Sequence, residues 1–147
     1  MAKRISKKTT IVSGKQNRVV SQTGKLSDVG GVLFSYKYLE LEHVKFCVND
    51  QNTEYFIKLI MRLADVSRMT INELKQRNST GLKSHAIKWK DVSENCFGIP
   101  HEDEIVTEPW QFAISANEYG RVHGFIIGNT FFVRWIDPNH LLYASHS

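Results

Sequence analysis

The stretch Arg121-Val122-His123-Gly124-Phe125-Ile126-Ile127-Gly128-Asn129-Thr130-Phe131-Phe132-Val133-Arg134-Trp135-Ile136 reads as a β-hairpin. Two runs rich in β-branched and aromatic residues flank Gly128-Asn129, and glycine in the first central position suits a type II′ turn. A two-residue turn sets the register: Ile127 opposite Thr130, Phe125 opposite Phe132, His123 opposite Arg134. Residues that face each other across an antiparallel pair share one side of the sheet. One face then carries Val122, Gly124, Ile126, Phe131, Val133 and Trp135, an apolar set suited to packing on helices. The other carries Arg121, His123, Phe125, Phe132 and Arg134. That second set combines cations for phosphates, a titratable imidazole and rings on which bases stack, so His123, Phe125, Phe132 and Arg134 are candidate substrate-binding residues. The alternative is that residues 79–109 or the N-terminal arm cover the rings, with the arginines paired to Glu102, Asp103 or Glu104.

Outward from the hairpin, Trp110 to Ser115 alternates as a third strand, with Trp110, Phe112 and Ile114 on one side, and Asn117-Glu118-Tyr119-Gly120 turns the chain into Arg121. Upstream, Glu54 to about Arg68 has a helical period, with Phe56, Ile60 and Leu63 as the core stripe, Ile57, Leu59 and Ala64 widening it, and Thr53 as the cap. Thr70 and Glu73 form a capping box for a second helix from Ile71 to about Arg77. Val32 to Leu39 reads as a strand after Gly30-Gly31. Residues 79–109 read as a long ordered loop or insertion, with a short strand near His85–Lys90. The expected class is α+β: a small antiparallel sheet with two helices on one face, in the order β-α-α-β-β-β.

Charge is unevenly spread. Lys3, Arg4, Lys7, Lys8, Lys15, Arg18 and Lys25 stand in the first 25 residues with no acid among them. The other 12 of the 19 basic residues share the rest of the chain with all 15 acids. The sequence thus divides into a basic, flexible arm over residues 1–28 and a single, slightly acidic domain over 29–147. Lys3, Arg4, Lys7 and Lys8 suit a polyanion such as RNA; the competing reading is a solvated extension, or an arm docked on a partner. No apolar run approaches the roughly 18 residues of a membrane span, and no apolar segment follows the basic N-terminus as in a secretory signal. Two cysteines, Cys47 and Cys96, make no disulfide framework and fit reduced thiols in a cytoplasm. No zinc spacing, phosphate loop or nucleophile elbow is present, so neither metal nor cofactor is expected.

The order of elements, together with Trp110-Gln-Phe-Ala-Ile-Ser115, Tyr119-Gly-Arg-Val-His-Gly-Phe125 and Phe131-Phe-Val-Arg-Trp-Ile-Asp-Pro-Asn-His-Leu-Leu-Tyr143, resembles the RelE/ParE superfamily of toxin–antitoxin toxins, including the YoeB and HigB types. The resemblance implies a bacterial endoribonuclease that cleaves mRNA on the ribosome without a metal and is neutralised by an antitoxin protein. A 2′-hydroxyl would attack the adjacent phosphate, with Arg121 on the scissile phosphate and His140 and Tyr143 in the acid/base positions. The sequence departs from that family in its N-terminal residues, in 79–109, in Asp137-Pro138-Asn139-His140 where the family has a Gly-His-Arg type turn, and in lacking a lysine-rich second strand. Two other readings stand beside it: a non-catalytic nucleic-acid-binding module, and a protein-interaction module of a phage or defence system.

Overall fold

The computed structural model describes residues 30–76 and 81–143. They form a mixed α+β domain. A five-stranded sheet has the order β1-β5-β4-β3-β2, built from β1 (Leu33–Ser35), β2 (His85–Ala86), β3 (Pro109–Ala113), β4 (Arg121–Ile127) and β5 (Thr130–Asp137). The strands pair antiparallel except β1, which lies parallel to β5 at one edge. Two helices, α1 (Thr53–Ser67) and α2 (Ile71–Gln76), contribute Tyr55, Leu59, Val66 and Leu74 to a core with Phe112, Val122, Ile126, Phe131 and Val133 of the sheet. A short helix, α3 (Glu102–Ile105), and a 3-10 turn at Trp89–Asp91 interrupt the chain between β2 and β3. The basic arm, with Lys3, Arg4, Lys7 and Lys8, lies outside the described residues.

Local chemistry accounts for the element ends, with some corrections. Asn52, not Thr53, caps α1: its Oδ1 accepts from the Tyr55 N–H at 3.0 Å. The capping box of α2 forms as expected, with Glu73 N–H on Thr70 Oγ1 at 3.1 Å and Thr70 N–H on Glu73 Oε1 at 3.0 Å. The first strand is only three residues long, because the chain turns at Tyr36, whose carbonyl accepts from Leu39 N–H at 3.1 Å.

The core stripe of α1 also differs from the expected one. The buried side is Tyr55, Leu59 and Val66, whereas Phe56, Ile57, Ile60 and Met61 are 37%, 54%, 65% and 55% exposed. The helix carries apolar residues on two opposite sides, so its period alone does not choose between them. Arg62 helps choose: on the inner side, its Nε donates to Ile114 O at 2.9 Å and an Nη donates to Gly81 O at 3.1 Å, pinning that side to the sheet.

The hairpin register holds from the turn to Gly124↔Val133 and then slips. Beyond it His123 pairs with Trp135, Val122 with Ile136 and Arg121 with Asp137, so Arg134 is the extra residue of a β-bulge. His123 therefore does not oppose Arg134, and Trp135 leaves the helix side for the opposite face. Gly124 makes the slip possible: a Cβ there would lie 2.0 Å from Phe132 O. Gly124→Ala is expected to cost at least about 2 kcal/mol in the denaturant midpoint, against about 1 kcal/mol for Gly128→Ala, whose site is open but left-handed.

The aromatic-basic face is not open. Residues 87–106 and 38–46 fold over it, and Phe46, Ile87, Phe97, Ile99, Phe125, Trp135 and Leu142 form a second core. Phe125 is fully buried and stacks on half-buried Phe132 with ring centroids 5.0 Å apart. Phe97 and Phe46 pack on Trp135 at 5.3 and 4.7 Å. Neither Phe125 nor Phe132 is an open platform for a base. Arg134 is spent structurally: Nε donates to Phe97 O at 3.0 Å, Nη1 to Tyr38 O at 2.8 Å, and it pairs with Glu40 rather than with the acids at 102–104. Glu102 instead holds the Phe97 and Gly98 N–H groups, both at 2.8 Å.

Candidate functional site

The end of the sheet where β4 starts and β5 stops carries the densest polar chemistry. There Arg121 lies opposite Asp137, and the register sets His123 beside them. Buried His123 and Asp137 are joined by a 2.9 Å hydrogen bond from the imidazole Nε2. Asp137 also accepts from the N–H groups of Leu141 at 2.8 Å and Leu142 at 3.0 Å. Proline at 138 ends the strand, and the carboxylate then ties the returning tail, which Ser93 holds as well, its N–H on Leu142 O at 2.8 Å and its Oγ on Leu141 O at 2.9 Å.

Burial alone would raise the Asp137 carboxyl, but the bond from His123 and the two backbone N–H groups outweigh it and hold it below the ordinary range. Burial pushes His123 down despite that same bond. An ionised Asp137 beside a neutral imidazole requires the proton on His123 Nε2, which leaves Nδ1 as a buried acceptor without a partner. Gln111 and His85 extend the polar row across β3 and β2. The Gln111 amide lies 2.8 Å from His85 Nε2, and His85 Nδ1 donates to Ala86 O at 2.8 Å.

Beside this row opens a cleft of about 420 Å³, lined among others by Lys83, Tyr119, Gly120, Arg121, Pro138 and His140. Arg121, only 8% exposed, donates from Nη1 to Gly120 O at 3.1 Å, while its Nε is buried without a partner. Burial lowers the guanidinium's pKa, against the pull of Asp137, but an arginine keeps its charge. His140 is lowered by burial and then by the positive charge of Arg121, which favours the neutral imidazole at neutral pH.

The backbone of this cleft is strained. Lys83, Tyr119 and His140 have φ of 47°, 66° and 54°, three of the four non-glycine residues with left-handed backbones among the described residues. Each such conformation costs on the order of 1 kcal/mol or more and persists only where the surroundings impose it. Gly120, at φ 78°, is imposed by contact: a Cβ would lie 1.8 Å from Asp137 O.

Of the residues singled out in the sequence, Arg121 and His140 meet on the cleft wall. Tyr143 does not line it; its ring lies 6.1 Å from His140 and 5.6 Å from His85. His123 lies behind, on Asp137. Phe125, Phe132 and Arg134 belong to the second core. Lys83 and Tyr119 are cleft residues that the sequence reading did not single out; the left-handed positions that mark them leave no signature outside glycine and asparagine. Among the described residues, no group of three or more His, Cys, Asp or Glu side chains is placed to hold a metal, and no helix is long and apolar enough to cross a membrane. Cys47 and Cys96 are free thiols. No family model, curated protein or solved structure matches this chain.

The depressed groups His123, His140 and Asp137 give stability a definite pH dependence. His123 and His140 are both held below 6.5 in the fold and titrate near 6.5 when unfolded, so their contribution is complete above 6.5 and declines as pH falls below it. The contribution of Asp137 is present above 3.8 and declines as pH falls from there. Thermal melts should therefore show a midpoint that is level from neutrality to about pH 9 and drops from about pH 6.5 downward, before any carboxylate titrates. A midpoint level down to pH 5 would mean that His123 and His140 take up their protons within the fold without cost.

Proposed function

We propose that the cleft of Lys83, Arg121 and His140 binds a phosphodiester of RNA and cleaves it without a metal. The observation that carries this reading is a neutral imidazole beside a half-satisfied, buried guanidinium, on a backbone held in three left-handed conformations. His140 takes the proton from the 2′-hydroxyl. That oxygen attacks the adjacent phosphorus, and Arg121 and Lys83 stabilise the charge that develops on the phosphoryl oxygens. The 5′-oxygen leaves with a proton, giving a 2′,3′-cyclic phosphate and a 5′-hydroxyl. Tyr119 is the acid on the cleft wall, its hydroxyl kept protonated by burial and by Glu54. Asp137 and His123 act through position, because they hold the tail that carries His140.

The biological setting is the one the sequence resemblance implies: an mRNA-cleaving toxin of the RelE/ParE type, acting on the ribosome in the bacterial cytoplasm and neutralised by an antitoxin. The test is mapped mRNA cleavage by the full chain in a bacterial cell-free translation reaction, with and without ribosomes, with and without chelator, comparing wild type with His140→Ala. Ribosome-dependent cuts that survive chelation and vanish in the variant support the reading in full. Intact mRNA and unimpaired translation would remove it. Binding without cleavage is the second reading, and the burial of the Phe125 ring favours a cleft that grips phosphate rather than bases. It predicts RNA affinity that His140→Ala changes with no cleavage to lose.

A further inference from the structure

The apolar residues on the outer face of α1 are not among those that line the cleft. Thr53, Phe56, Ile57, Ile60 and Met61 line a shallow groove with no polar lining. Their spacing makes one continuous stripe on a 15-residue helix whose opposite stripe is already buried in the sheet. Solvated helices rarely keep two isoleucines, a methionine and a phenylalanine together in water.

The margin of that stripe names the occupant. Glu54, Lys58, Asp65 and Arg68 follow one another along one edge at helical spacing, with alternating sign. Positions equidistant from Met61 face each other when two such helices lie antiparallel about a two-fold axis through that residue. Glu54 then faces Arg68 of the second copy, and Lys58 falls beside its Asp65, each contact made twice by symmetry. A parallel pair in register would set each charge against its own kind. We propose that the protein self-associates through α1, two copies docking antiparallel with Met61 at the centre.

Two contacts within one copy must yield. Glu54 accepts from the Tyr119 hydroxyl at 3.3 Å, and Arg68 pairs with Asp65 at 3.0 Å. Both are exposed, and such contacts contribute roughly 1 kcal/mol or less, so exchanging them costs little. Four helical turns span about 22 Å, and a helix pair of that length buries on the order of 1,000 Å², below the standard interface. An interface of that size belongs with weak, transient contacts, so association is expected in the micromolar range.

Sedimentation equilibrium of the full chain tests it. Wild type should shift from monomer to dimer as concentration rises through that range. Ile60→Glu with Met61→Glu should stay monomeric with an unchanged thermal midpoint, since both side chains face water in the single copy. Lys58→Glu should weaken the dimer by about tenfold, and Lys58→Glu combined with Asp65→Lys should recover it. A wild type that remains monomeric up to about 100 µM overturns the proposal and leaves the face to a different protein. A dimer indifferent to the Ile60/Met61 variant overturns it too, by placing the interface elsewhere. Failure of the exchanged pair to recover association overturns the antiparallel register. Association is read without RNA, so self-association can fail while cleavage stands; the exchange of the Glu54–Tyr119 contact is the one point where the two proposals meet.

Discussion

Arg121→Ala is expected to lower RNA cleavage by on the order of 10³-fold while the chain stays folded. The guanidinium stands on the cleft wall in a largely water-free position, where one charge facing a developing phosphorane acts with little screening. Its structural use is slight by comparison. One hydrogen bond to Gly120 O is lost, and the carboxylate it faces in register already receives His123 and two backbone N–H groups. Removing the cation therefore leaves Asp137 satisfied, and the stability loss should stay near 1–2 kcal/mol. Arg121→Lys keeps the charge but loses the planar fork, so cleavage should fall by roughly tenfold. Single-turnover cleavage rates, paired with thermal melts of each variant, separate the two effects. A folded Arg121→Ala protein that cleaves at the wild-type rate would take Arg121 out of the reaction.

The hairpin was readable because its turn chemistry and its flanking runs agree. Glycine at 128 and the alternation on both sides fix the pairing for the first turns of the ladder. Past Gly124 the reading fails for a physical reason. A bulge inserts one residue without any change in composition, and a slip of one residue reverses which face every later side chain occupies. Trp135 crosses to the second core that way, and Arg134 becomes the bulged residue. The close approach of Phe132 O to Gly124 is the cause, and a glycine inside a strand is the one trace it leaves.

Helix α1 was misread for a different reason. Two apolar stripes on one helix give the same period, and only Arg62, reaching the carbonyls of Ile114 and Gly81, distinguishes inside from outside. The candidate site was half legible. Arg121 and His140 stand at the two chain segments that meet. Lys83 and Tyr119 were not legible, because they reach the cleft through long-range pairing and left-handed backbones that no local pattern encodes.

Asp137→Ala is expected to be the most destabilising single change in the domain, at about 3–5 kcal/mol. The reason is the number of donors that depend on one buried carboxylate. His123 Nε2, Leu141 N and Leu142 N all donate to it, and alanine would leave all three unpaired around a small void. Against a total of about 5–15 kcal/mol for a domain, that loss is enough to unfold a sizeable fraction at growth temperature. Asp137→Asn separates charge from shape. It keeps one oxygen for a backbone N–H, and His123 can move its proton to the vacant Nδ1 and accept from the new amide, so the cost should fall to about 1–3 kcal/mol. The same change removes the carboxylate whose bonds resist protonation, so the decline in stability from pH 3.8 downward should disappear, while the decline below 6.5, which belongs to His123 and His140, should persist. Urea titrations of both variants across that pH range would measure each limb. If Asp137→Ala costs under about 1 kcal/mol, water must reach the donors once the carboxylate is gone, and the tail from Pro138 to Tyr143, His140 with it, is held by something other than Asp137.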